Sequence, residues 1–274
     1  MPVLWQGVPF ASLCRGQMAD FERTFEDAAD VYERNRPAYP RALYDDLFRY
    51  RPLGARDSAL EIGVGTGKAT GPILDAGCRV VGIEPGERLA ALARARFRSC
   101  GRFSLDNRTF EAFDAEPDSF DLVYAATAFH WIPEEYGYRR VFALLKSGGA
   151  FARFAYHAWP DRGRLALTEE IQRAYRRFMP ATPEPKEFGE TDARRLAGVA
   201  ARYGFADAEY RLYGQTKDFT ADQYVELLQT YQNHMALDET DRRGLFEEIH
   251  AAIERHGGTM TVYYAVDMEL ARKL

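Results

Sequence analysis

Cysteine is scarce in this 274-residue chain: Cys14, Cys78 and Cys100 are its only three. Their number and spacing exclude a disulfide framework and a cysteine-based metal centre, and an odd count in a chain this long points to a reducing, cytoplasmic setting. Histidine is scarce too, five in all, and no His, Cys, Asp and Glu fall at ligand spacing, so no metal is expected. No apolar run approaches the ~20 residues of a membrane span. The opening MPVLWQGVPFASLCRGQM lacks a basic start and is interrupted by Gln6, Gly7 and Pro9. It reads as an N-terminal extension, residues 1–18, rather than a secretory leader, with Met18 as an alternative start. Basic runs are also missing. The 36 basic residues are scattered among 41 acidic ones, for a formal charge of -5. That excludes nucleic acid bound by backbone electrostatics and a polybasic membrane site.

What is present is apolar and patterned. Apolar residues make up 46% and aromatics 14% of the chain, enough for a substantial core. Residues 20–34 have helical spacing in Phe21, Phe25, Ala28, Ala29 and Tyr32, and RPAYP (36–40) ends that helix. A second helix is expected over 41–50. From residue 58, strands and helices alternate. Strands are expected at 58–63, 78–84, near 107–110, at 120–127 and at 149–156. Helices are expected at 68–77, 88–98 and 136–147, the last stopped by Gly148. Repeated alternation of this kind implies a parallel sheet covered on both faces. After residue 157 helices dominate, over 164–178, about 190–203 and 220–256, with strands near 208–214 and 259–266. The expected organisation is an α/β, Rossmann-like, seven-stranded mostly parallel sheet. Residues 19–157 form its core and cap helices, and 158–274 a helical lid with the last two strands.

The stretch ALEIGVGTGKAT (59–70) sets three glycines at alternate positions between an acid and a lysine. A phosphate-binding P-loop is excluded, because Ile62 and Ala69 occupy its required glycine and Ser/Thr positions. The dinucleotide fingerprint lacks its third glycine, since Lys68 stands there. EIGVGTG does match E/D-x-G-x-G-x-G at Glu61, Gly63, Gly65 and Gly67, and Glu84 follows at the end of the next strand. A carboxylate there can accept both hydroxyls of a ribose. These residues resemble class I S-adenosylmethionine-dependent methyltransferases. FDLVYAATAFHWI (120–132) and LLKSGGAFARF (144–154) extend the resemblance, with Ser147 in place of a usual proline. Phe25, Tyr32, Arg36, Pro37, Tyr39 and Pro40 resemble the trans-aconitate-methyltransferase-like group.

The resemblance implies that S-adenosylmethionine is the cofactor. The loop Gly63–Gly67 would lie along its methionine part, Glu84 and Pro85 at its ribose, and Thr109, Phe110 and Ala125 near its adenosyl group. Many members carry an aspartate where Thr109 stands. Tyr32, Arg36 and Tyr39 would close over the cofactor. Methyl transfer is an in-line displacement, so positioning in a dry site matters more than acid–base chemistry. His130, after the fourth strand, is the first candidate base or orienting group and His157 the second. Phe129, Trp131, Tyr231 and His234 are candidate substrate contacts. The expected substrate is a small molecule, and the expected assembly a monomer or homodimer. An NAD(P)-dependent oxidoreductase and a non-catalytic cofactor-binding module are the alternatives.

Overall fold

A computed structural model describes residues 37–183 and 186–274. The expectations for residues 1–36, including the 20–34 helix, Tyr32 and Arg36, lie outside the described residues. Among those residues seven strands form one sheet. They are β1 (Ser58–Ile62), β2 (Arg79–Ile83), β3 (Phe103–Asp106), β4 (Phe120–Ala126), β5 (Leu145–Trp159), β6 (Ala206–Thr220) and β7 (Thr259–Arg272). Their order is β3-β2-β1-β4-β5-β7-β6, with β3 to β5 mutually parallel. The start of β5 and the end of β7 exchange bonds, Gly148 N–H to Lys273 C=O at 2.7 Å and Lys273 N–H to Gly149 C=O at 3.0 Å, so β7 runs antiparallel to β5.

The helices are α1 (Arg41–Tyr50), α2 (Thr70–Asp75), α3 (Glu87–Arg96), α4 (Glu134–Leu144), α5 (Leu165–Phe178), α6 (Glu190–Ala201), α7 (Ala221–Leu228), α8 (Gln232–Met235) and α9 (Glu239–Arg255). The chain divides into two compact units. The first, Ala38–Tyr156 with Gly189–Tyr213 and Val266–Leu274, holds β1 to β4 and a core of Leu60, Ile62, Val123, Phe129, Val141 and Phe151. In α3 the charges follow the helix dipole, with Glu87 in the first turn and Arg94 and Arg96 in the last.

The second unit includes His157–Phe188 and Gly214–Ala265. Helix α5 buries Leu167, Ile171, Ala174 and Tyr175, one stripe at i, i+4, i+7 and i+8. Thr220 and Gln223 close a reciprocal capping box at the start of α7, and Asp238 caps α9 through the N–H groups of Thr240 and Asp241.

Three expected elements move. The third strand is FSLD, not NRTF: it is Phe103–Asp106 that pairs with β2, in the register Gly82↔Leu105. The helix expected to run to residue 147 ends at Leu144. Gly148 and Gly149 are instead the bulge that lets Phe120↔Leu145 and Leu122↔Ala150 both pair. The helical stretch expected over 220–256 is three helices, the longest opened by the Asp238 cap.

Candidate functional site

The sheet order reverses between β1 and β4, and ligands of open α/β sheets lie beyond the carboxyl ends of the strands at such a reversal. Two segments meet there. The loop after β1 carries Gly63, Gly65 and Gly67, all left-handed with φ 71, 58 and 85°. At Gly63 any side chain would overlap the Ala128 methyl, so this loop and the turn after β4 approach each other only because residue 63 lacks a Cβ. At Gly65 a Cβ would meet nothing within 4 Å, which leaves the middle of the loop open on its outer side.

Glu84 immediately follows β2 and is 6% exposed. Its Oε2 accepts from Gly65 N–H at 2.8 Å and its Oε1 from Gly86 N–H at 3.0 Å. The residue expected to bind a ribose therefore also clamps the loop. Asn107, which the sequence does not single out, fixes the backbone behind it. Its Nδ2 donates to the carbonyls of Glu84 at 2.7 Å and Pro85 at 3.0 Å.

Glu61 is fully buried. Strand alternation turns Leu60 and Ile62 into the core described above and Glu61 to the opposite face. There its Oε2 accepts from Thr70 Oγ1 at 2.6 Å and from Tyr124 OH at 2.7 Å, while Oε1 has no hydrogen-bond partner. Burial pushes the carboxyl up to about 7. The two hydroxyl bonds oppose this rise and the charge of Glu84 adds to it. Neither Thr70 nor Tyr124 carried a local signal of this role.

The turn after β4 divides its three aromatic residues. Phe129, expected as a pocket wall, is a core ring packed on Tyr138 and Phe151 at 5.1 and 4.8 Å between centroids. Gly137 makes that possible, since a Cβ there would come within 2.9 Å of the Phe129 ring. His130 stays exposed beside a half-buried Trp131, 4.5 Å between rings. Thr127, just before the turn, has a left-handed φ of 57°, and its Oγ1 lies 2.6 Å from Tyr39 OH. Tyr39 stacks on Tyr156 at 4.7 Å.

The other expected site residues are spread more widely. Ala125 is buried in register with Ile62, and Phe110 is buried with its ring edge-on to Tyr136. The Thr109 hydroxyl accepts from Ala112 N–H at 3.3 Å in a local turn. In the second unit His157 stacks flat on Phe188, 3.6 Å between centroids, and Tyr231 is buried. His234 has 0% exposure and its Nε2 lies 2.9 Å from Tyr175 OH; burial pushes its imidazole down to about 3. Among the described residues no group of His, Cys, Asp and Glu could hold a metal ion.

A family model described as a methyltransferase domain matches residues 59–149, the segment that builds this loop, Glu84 and the turn after β4. Among curated proteins, the chain is 32% identical to the Saccharomyces cerevisiae protein named probable S-adenosylmethionine-dependent methyltransferase CRG1, over 49% of this chain and 46% of that one. It is 30% identical to an uncharacterized methyltransferase of Geobacillus sp., over 57% of this chain and 77% of that one. Phosphoethanolamine N-methyltransferase 2 of Haemonchus contortus, solved with phosphomonomethylethanolamine and S-adenosylhomocysteine, shares the fold. Its TM-score is 0.52 at 17% identity, over 90% of this chain and 57% of that one. The chain belongs to the class I S-adenosylmethionine-dependent methyltransferases. It spans about half the length of the first curated relatives it matches, 46% and 51%. The residues present fit that family's cofactor: an open loop face at Gly65, a carboxylate at Glu84 and a buried, half-satisfied carboxyl at Glu61.

Proposed function

We propose that the chain transfers a methyl group from S-adenosylmethionine to a small organic molecule, an acid or an aromatic or secondary-metabolite scaffold, in the cytoplasm. The observation that carries this reading is the clamp of Glu84 on a glycine loop whose middle residue faces open space, at the point where the sheet order reverses. The Gly63–Gly67 loop holds the methionine part, Glu84 and Pro85 the ribose, and Thr109, Phe110 and Ala125 flank the adenosyl group. Tyr39 closes over the cofactor, anchored by its bond with Thr127.

When bound, S-adenosylmethionine supplies a methyl group on a sulfonium, whose thioether leaves without acid assistance. The residues then have to align an acceptor and keep water out. His130, exposed on the turn after β4, orients the acceptor or removes its proton, and Trp131 beside it forms a wall. The substrate reading also draws on the -5 charge, which disfavours nucleic acid. No helix among the described residues is long and apolar enough to cross a membrane. The working assembly is a monomer or homodimer.

The test is formation of S-adenosylhomocysteine from S-adenosylmethionine across a panel of small carboxylic acids and phenols. Turnover of a panel member, lost in His130→Ala while cofactor affinity is kept, supports the reading. Silence across the panel from a protein that binds S-adenosylhomocysteine normally overturns the small-molecule assignment.

A further inference from the structure

Glu61 lies two residues before the glycine loop, is wholly buried, and has one oxygen with no hydrogen-bond partner. The described groups that face it come from several elements. Thr70 of α2 and Tyr124 of β4 donate to Oε2, Tyr44 of α1 feels its charge, and Glu84 beyond β2 acts on it as a like charge. Cys78 acts in turn on Tyr124. None of these is a cation. Among the described residues an ionised Glu61 thus has two hydroxyl bonds and no countercharge, and a second carboxylate acting on it makes its charge costlier still.

The cofactor of this family is a cation. Its sulfonium carries a permanent charge beyond its balanced amino and carboxylate groups. The thioether product has lost that charge and keeps everything else.

We propose that Glu61 discriminates cofactor from product by charge: it is ionised with the sulfonium bound, and takes up a proton when the thioether replaces it. Binding of S-adenosylmethionine to the protonated protein releases that proton to solvent. After methyl transfer the carbon–sulfur electron pair stays on the thioether, and the carboxylate regains a proton from solvent. Exchange of product for fresh cofactor is therefore coupled to a proton, and favoured as pH rises through the titration of Glu61. Burial holds the free carboxyl near neutrality, which sets that titration in an accessible range. The inference rests on the cofactor reading and not on the acceptor proposed above.

The experiment is calorimetric titration of the full chain with S-adenosylmethionine and with S-adenosylhomocysteine between about pH 6 and pH 8. Two buffers of different ionisation enthalpy count the protons released. In the wild type the preference for S-adenosylmethionine over S-adenosylhomocysteine is expected to rise by about tenfold across that range, the effect of a pKa change of one unit. More protons are expected to leave with the sulfonium than with the thioether. In Glu61→Gln, whose amide oxygen accepts the same two hydroxyl bonds, the preference is expected to be independent of pH. A flat preference in the wild type, or a slope that persists in Glu61→Gln, overturns the proposal. If that variant does not fold, the wild-type proton counts decide alone, and equal release with both ligands overturns it. A silent acceptor panel leaves these measurements untouched, so the two readings fail separately.

Discussion

Gly65 N–H donates to Glu84 Oε2 across 2.8 Å, joining the middle of the glycine loop to the carboxylate that ends the next strand. The loop and the acid are thus one structural unit before any ligand is bound. A substitution at either residue is felt by the other.

Glu84 is the first case. Glu84→Ala leaves the Gly65 and Gly86 N–H groups without their acceptor and removes the expected ribose partner. Binding of S-adenosylhomocysteine is expected to weaken by about 1–3 kcal/mol, the scale of a lost charge-assisted bond. Glu84→Gln keeps an acceptor for one N–H and is expected to lose less. Isothermal titration measures both; equal affinity in Glu84→Ala and wild type would remove Glu84 from the site.

The two glycines separate folding from binding. Gly65→Ala places a methyl in open space at φ 58°, so the fold should bear only the ~1–2 kcal/mol of a left-handed non-glycine residue. Cofactor binding should fall far more than thermal stability. Gly63→Ala adds overlap with Ala128 to the same strain, so it should lose a further ~1–3 kcal/mol of stability through overpacking. Thermal denaturation with S-adenosylhomocysteine titration distinguishes the two patterns.

The contrast also shows what a sequence can carry. Glu61, the three glycines and Glu84 are legible because their spacing meets one local requirement, a strand that ends in a tight loop opening a helix. Whether Phe129 lines a pocket or fills the core is not local, since it depends on the space left by Gly137. The roles of Thr70, Tyr124 and Asn107 likewise arise from neighbours 9, 63 and 23 residues away in the chain. The third strand lies four residues before its expected place for the same reason: its position follows from its pairing with β2, not from its own composition.

The Tyr39–Thr127 bond holds a residue in strained backbone. A non-glycine residue at φ 57° costs ~1–3 kcal/mol and persists only where its surroundings fix it. Here Thr127 N–H donates to Phe154 C=O at 2.7 Å and its hydroxyl pairs with Tyr39. Tyr39→Phe and Thr127→Val should each destabilise, and the double variant by less than their sum. A coupling of about 0.5–1.5 kcal/mol is expected from denaturant titration of the four proteins. Strict additivity would mean that the two hydroxyls act independently.

His234 sets an acid limit on stability. Its imidazole titrates near 6.5 when unfolded, and burial lowers it to about 3 in the fold. The unfolded chain then binds the proton first. Stability is full above about 6.5 and falls as pH drops toward 3, at up to ~1.4 kcal/mol per unit. His234→Gln can keep a partner for Tyr175 OH without titrating, so its melting temperature should decline less between neutral pH and about pH 5. Parallel declines in the two proteins would assign the acid limb to other groups.

Arg153 is the cation beside a pair of buried acids. Its Nε donates to Glu269 Oε2 at 2.9 Å and Nη1 to Tyr138 OH at 3.3 Å, while Asp267 Oδ1 accepts from Ala155 N–H at 3.0 Å. Glu269 is 5% and Asp267 1% exposed. Burial, and then the charge of Asp267, push Glu269 well above the usual carboxylate range, so one guanidinium serves a pair of carboxyls that hold a proton. Arg153→Met strips that pair of its cation without leaving a large void, and the loss should be about 3–5 kcal/mol, as for other broken buried pairs. Glu269→Gln keeps an acceptor for Nε and leaves Asp267 to balance the guanidinium, so it should cost much less. Urea denaturation of the two variants decides between charge and packing. A deficit confined to Arg153→Met supports charge compensation, whereas equal deficits would assign the stability of this cluster to its packing alone.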